Sequence, residues 1–156
     1  MPADSEPAAG PVLPITWRPL GPRIAGAVAG GTLIFITTML WIGFDQETRD
    51  AVTPFQRGTV AAMGLLGFAC LFALIRSRVE AHDDRLVVVN GYRRHEYEWA
   101  QVVAVQLNPG APWVVLDLAD GTAASAMGIQ GSDGARAKQA VRVLRLLVDR
   151  ANSPGD

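Results

Sequence analysis

The chain has 156 residues, enough for one ordinary domain or for a membrane element joined to a small domain. Its 14 basic and 15 acidic side chains leave a net charge of -1, which excludes the global positive field that holds nucleic acid or an anionic surface. Hydrophobic residues reach 49% while charged ones remain at 19%, so the charge is segregated along the sequence; the single Cys70, inside an apolar run, allows no internal disulfide.

Residues 1–23 carry six prolines, with Asp4 and Glu6 ahead of the first basic residue, Arg18. That composition predicts a disordered tail, and the acidic start argues against a secretory signal. Next comes IAGAVAGGTLIFITTMLWIGF, residues 24–44, without one charge. At 1.5 Å per residue it is about 31 Å long, close to the thickness of a bilayer core, and it predicts a transmembrane helix.

Residues 45–53 read as a polar loop outside the cytoplasm, ending in a helix start: Thr53 as N-cap, Pro54 in the first helical position and Gln56 completing a capping box. A second span is therefore expected over 54–76, and the two make a helical hairpin. Gly26 with Gly30, Gly58 with Ala62, and Ala69 with Ala73 repeat a four-residue small-residue spacing that brings helices close in lipid. Contact inside the hairpin is the favoured use of these positions, ahead of homo-oligomerisation. Arg18, Arg23, Arg76, Arg78 and Arg85 flank the spans, against Arg49 and Arg57 in the loop, so both termini are expected in the cytoplasm of a multi-pass plasma-membrane protein.

From Val79 the pattern becomes strand-like. RLVVVNGYRRHEYEW predicts two strands around an Asn90-Gly91 turn, with His95, Tyr97 and Trp99 on one face and Arg94, Glu96 and Glu98 on the other. VVAVQL predicts another strand, ended by NPGAP, and WVVLDLADGTAASAMGI two more around Asp120-Gly121. A closing helix over about 133–150, capped by Ser132 or Asp133, places Ala137, Ala140, Val141, Leu144, Leu147 and Val148 on one apolar face. Residues 77–150 thus form a domain expected to fold alone, and 151–156 fray.

Asn90, Gly91, Trp99, Trp113, Asp120, Gly121 and the Gly128–Gln130 stretch, together with two preceding spans, resemble the bacterial pleckstrin-homology (PH) domain family, most of all the small membrane proteins grouped with the low-molecular-weight protein antigen. The resemblance implies an α+β membrane protein: a two-helix transmembrane hairpin followed by a PH-like antiparallel sheet with a C-terminal helix. It also implies an adaptor rather than an enzyme.

No cofactor or metal is expected. HDD and HEYE contain the only histidines, His82 and His95, without paired cysteines or an HExxH spacing, and GIQGSDGARAK lacks the Lys and Ser or Thr that follow the last glycine of a phosphate loop. Ser125 and Ser132 have no marked base. The candidate contact residues are Arg76, Arg78, Tyr92, Arg93, Arg94 and Trp113, for lipid or for an unidentified protein partner. Glu96 and Glu98 are expected to cancel the field of Arg93 and Arg94, which favours a protein adaptor at the cytoplasmic face over an anionic-lipid sensor. An accessory subunit of a membrane complex is the third reading.

Overall fold

A computed structural model of the chain describes residues 11–153. In chain order the elements are β1 (Ile15–Trp17), α1 (Gly21–Gly43), α2 (Gln46–Ala51), α3 (Pro54–Arg76), β2 (Arg78–Ala81), β3 (Arg85–Asn90), β4 (Arg93–Glu98), β5 (Val102–Gln106), β6 (Trp113–Leu118), β7 (Ala123–Gln130) and α4 (Ala135–Asn152).

Helices α1 and α3 are both long and apolar enough to cross a membrane. Their apolar windows are 6% and 0% buried, so neither helix is packed inside the core of the domain. They run antiparallel: Gly26, early in α1, faces Leu71, late in α3, while Arg57 at the start of α3 stacks 5.4 Å from the ring of Trp41 at the end of α1. A Cβ on Gly26 would stand 2.4 Å from Leu71 Cδ1, and one on Gly30 3.5 Å from Leu71 Cδ2, so this pair seats α3 against α1. Gly58 has nothing within 4 Å of that position, and Ala62 is exposed.

The start of α3 follows its sequence. Thr53 Oγ1 accepts from the Gln56 N–H, Gln56 Oε1 accepts from the Thr53 N–H at 2.9 Å, and Pro54 opens the helix. The expected loop over 45–53, by contrast, contains α2. Asp45 caps it by accepting from the Thr48 N–H at 2.8 Å, and Glu47 and Arg49 sit at the ends that suit their charges.

Two antiparallel sheets follow, ordered β1-β2-β3-β4 and β5-β6-β7. The first contains a correction: residues 15–17, expected in a disordered tail, pair with β2, Ile15 opposite Ala81 and Trp17 opposite Val79. Leu13 and Trp17 pack on the core and Pro19 is buried. The hairpin is therefore inserted between the first two strands of the domain rather than placed ahead of it. Proline around a three-residue strand is tolerated because β1 lies at the sheet edge. Residues 1–10 of the expected tail, and 154–156 of the second one, lie outside the described residues; 151 and 152 belong to α4.

β7 crosses β2 and β3 and joins the sheets. Gly128 makes the crossing possible, since a Cβ there would stand 2.5 Å from the Arg78 backbone. α4 closes the open end with the six apolar residues its spacing predicts, all buried. Its start differs from expectation. Gly134, with φ of 57°, occupies the cap position without a side-chain bond, and the Asp133 carboxylate instead accepts from the N–H groups of Leu20 (3.0 Å) and Gly21 (2.9 Å), so it caps α1.

Candidate functional site

The β3–β4 turn rests on the end of α3. Asn90 pairs with Arg93 as a strand residue, so the turn is Gly91-Tyr92, one residue later than the sequence pattern placed it. Gly91 has φ of 60° and Tyr92 a negative φ, the arrangement of a type II′ hairpin, which needs glycine at its first position. The Asn90 side chain is thereby free to bridge the sheets: its Nδ2 donates to Ser125 O, and its Oδ1 accepts from the Met127 N–H at 3.0 Å.

Three contacts fasten this turn to α3. The Gly91 N–H donates to Ser77 Oγ at 2.9 Å, Ser77 Oγ donates to Ala73 O at 3.1 Å, and the Tyr92 hydroxyl donates to Ala69 O at 2.8 Å. The Tyr92 ring also lies 6.4 Å from that of Phe72. Ala69 and Ala73, read as helix-packing positions, here receive the domain instead of another helix. Ser77 is not legible from the sequence, because one serine at a helix end carries no pattern.

A cavity of about 800 Å³ lies between α4 and the 108–112 loop, and another of about 740 Å³ between α3 and β4. The first is a groove walled by Leu107, Val141 and Leu146, with Lys138, Arg142 and Arg145 along it and no carboxylate in its lining among the described residues. Arg145 Nε donates to Val105 O at 2.9 Å, and Leu146 is 56% exposed. The basic residues at positions 138, 142 and 145 recur at helical spacing, off the apolar face of α4, and that spacing is present in the sequence.

The cavity beside α3 takes Arg93, His95 and Tyr97 from one face of β4. Burial pushes the Tyr97 hydroxyl up, with a smaller push from the charge of Asp120, so it remains a donor. Arg94 and Glu96 point to the other face, where Arg94 Nη2 lies 2.7 Å from Glu96 Oε1 and Arg85 Nε 3.7 Å from Glu96 Oε2. Glu98 caps the turn Trp99–Gln101. The expected cancellation therefore applies to Arg94; Arg93 has no carboxylate within ion-pair distance among the described residues. Arg78 is likewise paired, with Glu80, whose carboxyl is held below its usual range first by that hydrogen bond.

The structure thus brings Tyr92 and Arg93 together beside the last turns of α3 and leaves Arg94 and Arg78 in ion pairs; it records no contact of either with Arg76 among the described residues. Trp113 stands apart, half-buried at the start of β6 opposite Gln130, and lines neither cavity. His82 Nε2 lies 3.5 Å from Glu80 Oε2, and His95 stacks on Tyr97.

The profile of a family described as "Bacterial PH domain" matches residues 76–147. Three uncharacterised mycobacterial proteins, Rv1417 and MT1460 from two strains of Mycobacterium tuberculosis and Mb1452 from Mycobacterium bovis, are each 32% identical to the chain over 123 residues, 79% of this chain and 74% of theirs. No solved structure gives a significant match. Seven strands in two sheets, a closing helix, the profile match and these relatives together establish that the chain belongs to the bacterial PH domain family.

Proposed function

We propose that the chain is a membrane-anchored, non-catalytic adaptor that holds a protein partner at the cytoplasmic face of the plasma membrane. The observation that carries this reading is the groove between α4 and the 108–112 loop. Among the described residues, three cations and no carboxylate line it beside exposed Leu146, a combination suited to an acidic segment with an apolar anchor. The unburied apolar surfaces of α1 and α3 support membrane insertion, and the arginine distribution supports cytoplasmic termini. Asp133 at one helix and Ser77 with Tyr92 at the other hold the domain on the hairpin, so a partner in the groove would be presented in one orientation.

Photo-crosslinking in cells tests this. A benzophenone side chain in place of Leu146 should give a discrete protein adduct that disappears when Lys138 and Arg142 are changed to Glu. An adduct pattern unaffected by the charge reversal, or no adduct beyond that of a probe at exposed Glu47, would contradict the reading.

A further inference from the structure

Residues 1–10 carry Asp4 and Glu6 and no basic side chain, and β1 fixes where they join the domain. Ile15 and Thr16 line a cleft against Gln139, Ala140 and Val143 of α4, and Asp133, just before that helix, accepts from the Leu20 N–H. Followed backward, the chain therefore runs along α4 toward its C-terminal half, held by Leu13 on the core. The groove lined by Lys138, Arg142, Arg145 and Leu146 occupies another flank of the same helix. At 3.6 residues per turn, Leu146 stands between Val143 in the cleft and Arg142 in the groove.

Length and charge both suit a crossing. Glu6 and Asp4 precede residue 11 by five and seven residues, which reach about 17 Å and 24 Å when extended, whereas a helix with its side chains is about 10–12 Å across. Lys138, Arg142 and Arg145 form no ion pair among the described residues. The cleft under β1 is less suited to an acidic segment, because Asp133 lines it with Arg18 and Arg136. Pro2 and Pro7 reduce the entropy lost when the segment is held, and a tethered segment acts at an effective concentration near millimolar, so weak pairs suffice.

We propose that residues 1–10 occupy this groove, with Pro7 covering Leu146 at its rim and Asp4 and Glu6 on Lys138, Arg142 and Arg145. The consequence rests on the adaptor reading: a protein partner must displace the chain's own acidic segment, so the groove is masked until one arrives.

The test uses the full chain in phosphatidylcholine nanodiscs with a benzophenone side chain in place of Leu146. Illumination should join position 146 to residues 1–10 of the same chain, located by fragmentation of the tryptic peptide that ends at Arg23. Asp4→Asn with Glu6→Gln should lower this internal adduct about threefold, the order expected of two exposed charge pairs, and Lys138→Glu with Arg142→Glu should do the same. Adding Asp4→Lys and Glu6→Lys to the reversed groove should restore most of it. In cells, Asp4→Asn with Glu6→Gln should raise the yield of the partner adduct, because more chains have an open groove. The proposal is overturned by an internal adduct no stronger than that from a probe at Glu47, by adducts confined to covalent dimers, or by indifference to the charge changes. A partner adduct unchanged by neutralising Asp4 and Glu6 would overturn it as well. A charge-dependent internal adduct with no partner adduct in cells, before or after that neutralisation, would leave residues 1–10 in the groove and remove the adaptor reading instead.

Discussion

Asp133 caps a helix that begins 112 residues earlier in the chain, using both carboxylate oxygens on the first amides of α1. Capping of this kind contributes about 1 kcal/mol, so Asp133→Ala should lower the melting temperature of the full chain in detergent and speed trypsin cleavage at Arg23. Asp133→Asn, which keeps an acceptor, should stay closer to wild type; equal behaviour of wild type and Asp133→Ala would remove the cap. Glu80 gives a pH-dependent counterpart. Its folded pKa lies below the usual value, so its contribution is complete above the ordinary carboxylate range and is lost as pH falls through the lowered folded value. The stability deficit of Glu80→Gln, measured by denaturant unfolding, should accordingly be present at neutral pH and shrink below about pH 4. A deficit that grows with acid would reverse the assignment.

At the scale of elements, the insertion of the hairpin between β1 and β2 changes what must be kept for the domain to fold. A fragment starting at Ser77 lacks β1 and uncovers the β2 edge at Val79 and Ala81. Joining residues 11–20 to residue 77 through a short Gly-Ser linker should give a soluble domain with a higher unfolding midpoint than the fragment alone, because the two segments are already strand partners; equal midpoints would show β1 to be dispensable. Gly128→Ala should destabilise either form by about 1–3 kcal/mol or more, since backbone rather than a movable side chain stands 2.5 Å from the added carbon. The parts readable from sequence were those with periodic or local chemistry. The apolar face of α4, the capping box of α3 and the glycine of the β3–β4 turn each announce themselves within a few residues. β1 did not, because Ile15, Thr16 and Trp17 are too few to set a period among prolines. The α2 cap at Asp45 was present in the sequence but masked by a polar linker composition. The alternation along β4 already sets Arg94 on the face of Glu96, so that pair is legible; that Arg93 meets no carboxylate on the other face among the described residues depends on the elements packed there and is not.

For the whole molecule, the apolar hairpin and the domain are one unit: β1 enters, α1 and α3 leave and return, and β2 resumes the same sheet. That continuity ties the fold to the topology, because β1 can pair with β2 only if both ends of the hairpin emerge on one side of the bilayer. Thr16 and Glu80 are direct partners across that pair, and antiparallel partners have Cα atoms about 4.5–5.5 Å apart, within the reach of a disulfide. The measurement is oxidation of isolated membranes containing the full chain with Cys70→Ser, Thr16→Cys and Glu80→Cys, followed by counting of free thiols with a mass-tagged maleimide. The account predicts loss of both thiols within a single chain, and their retention when the second cysteine replaces Glu47 at the far end of the hairpin. Free thiols in the Thr16–Glu80 variant, or bond formation with position 47, would contradict a PH-like domain closed around a membrane hairpin.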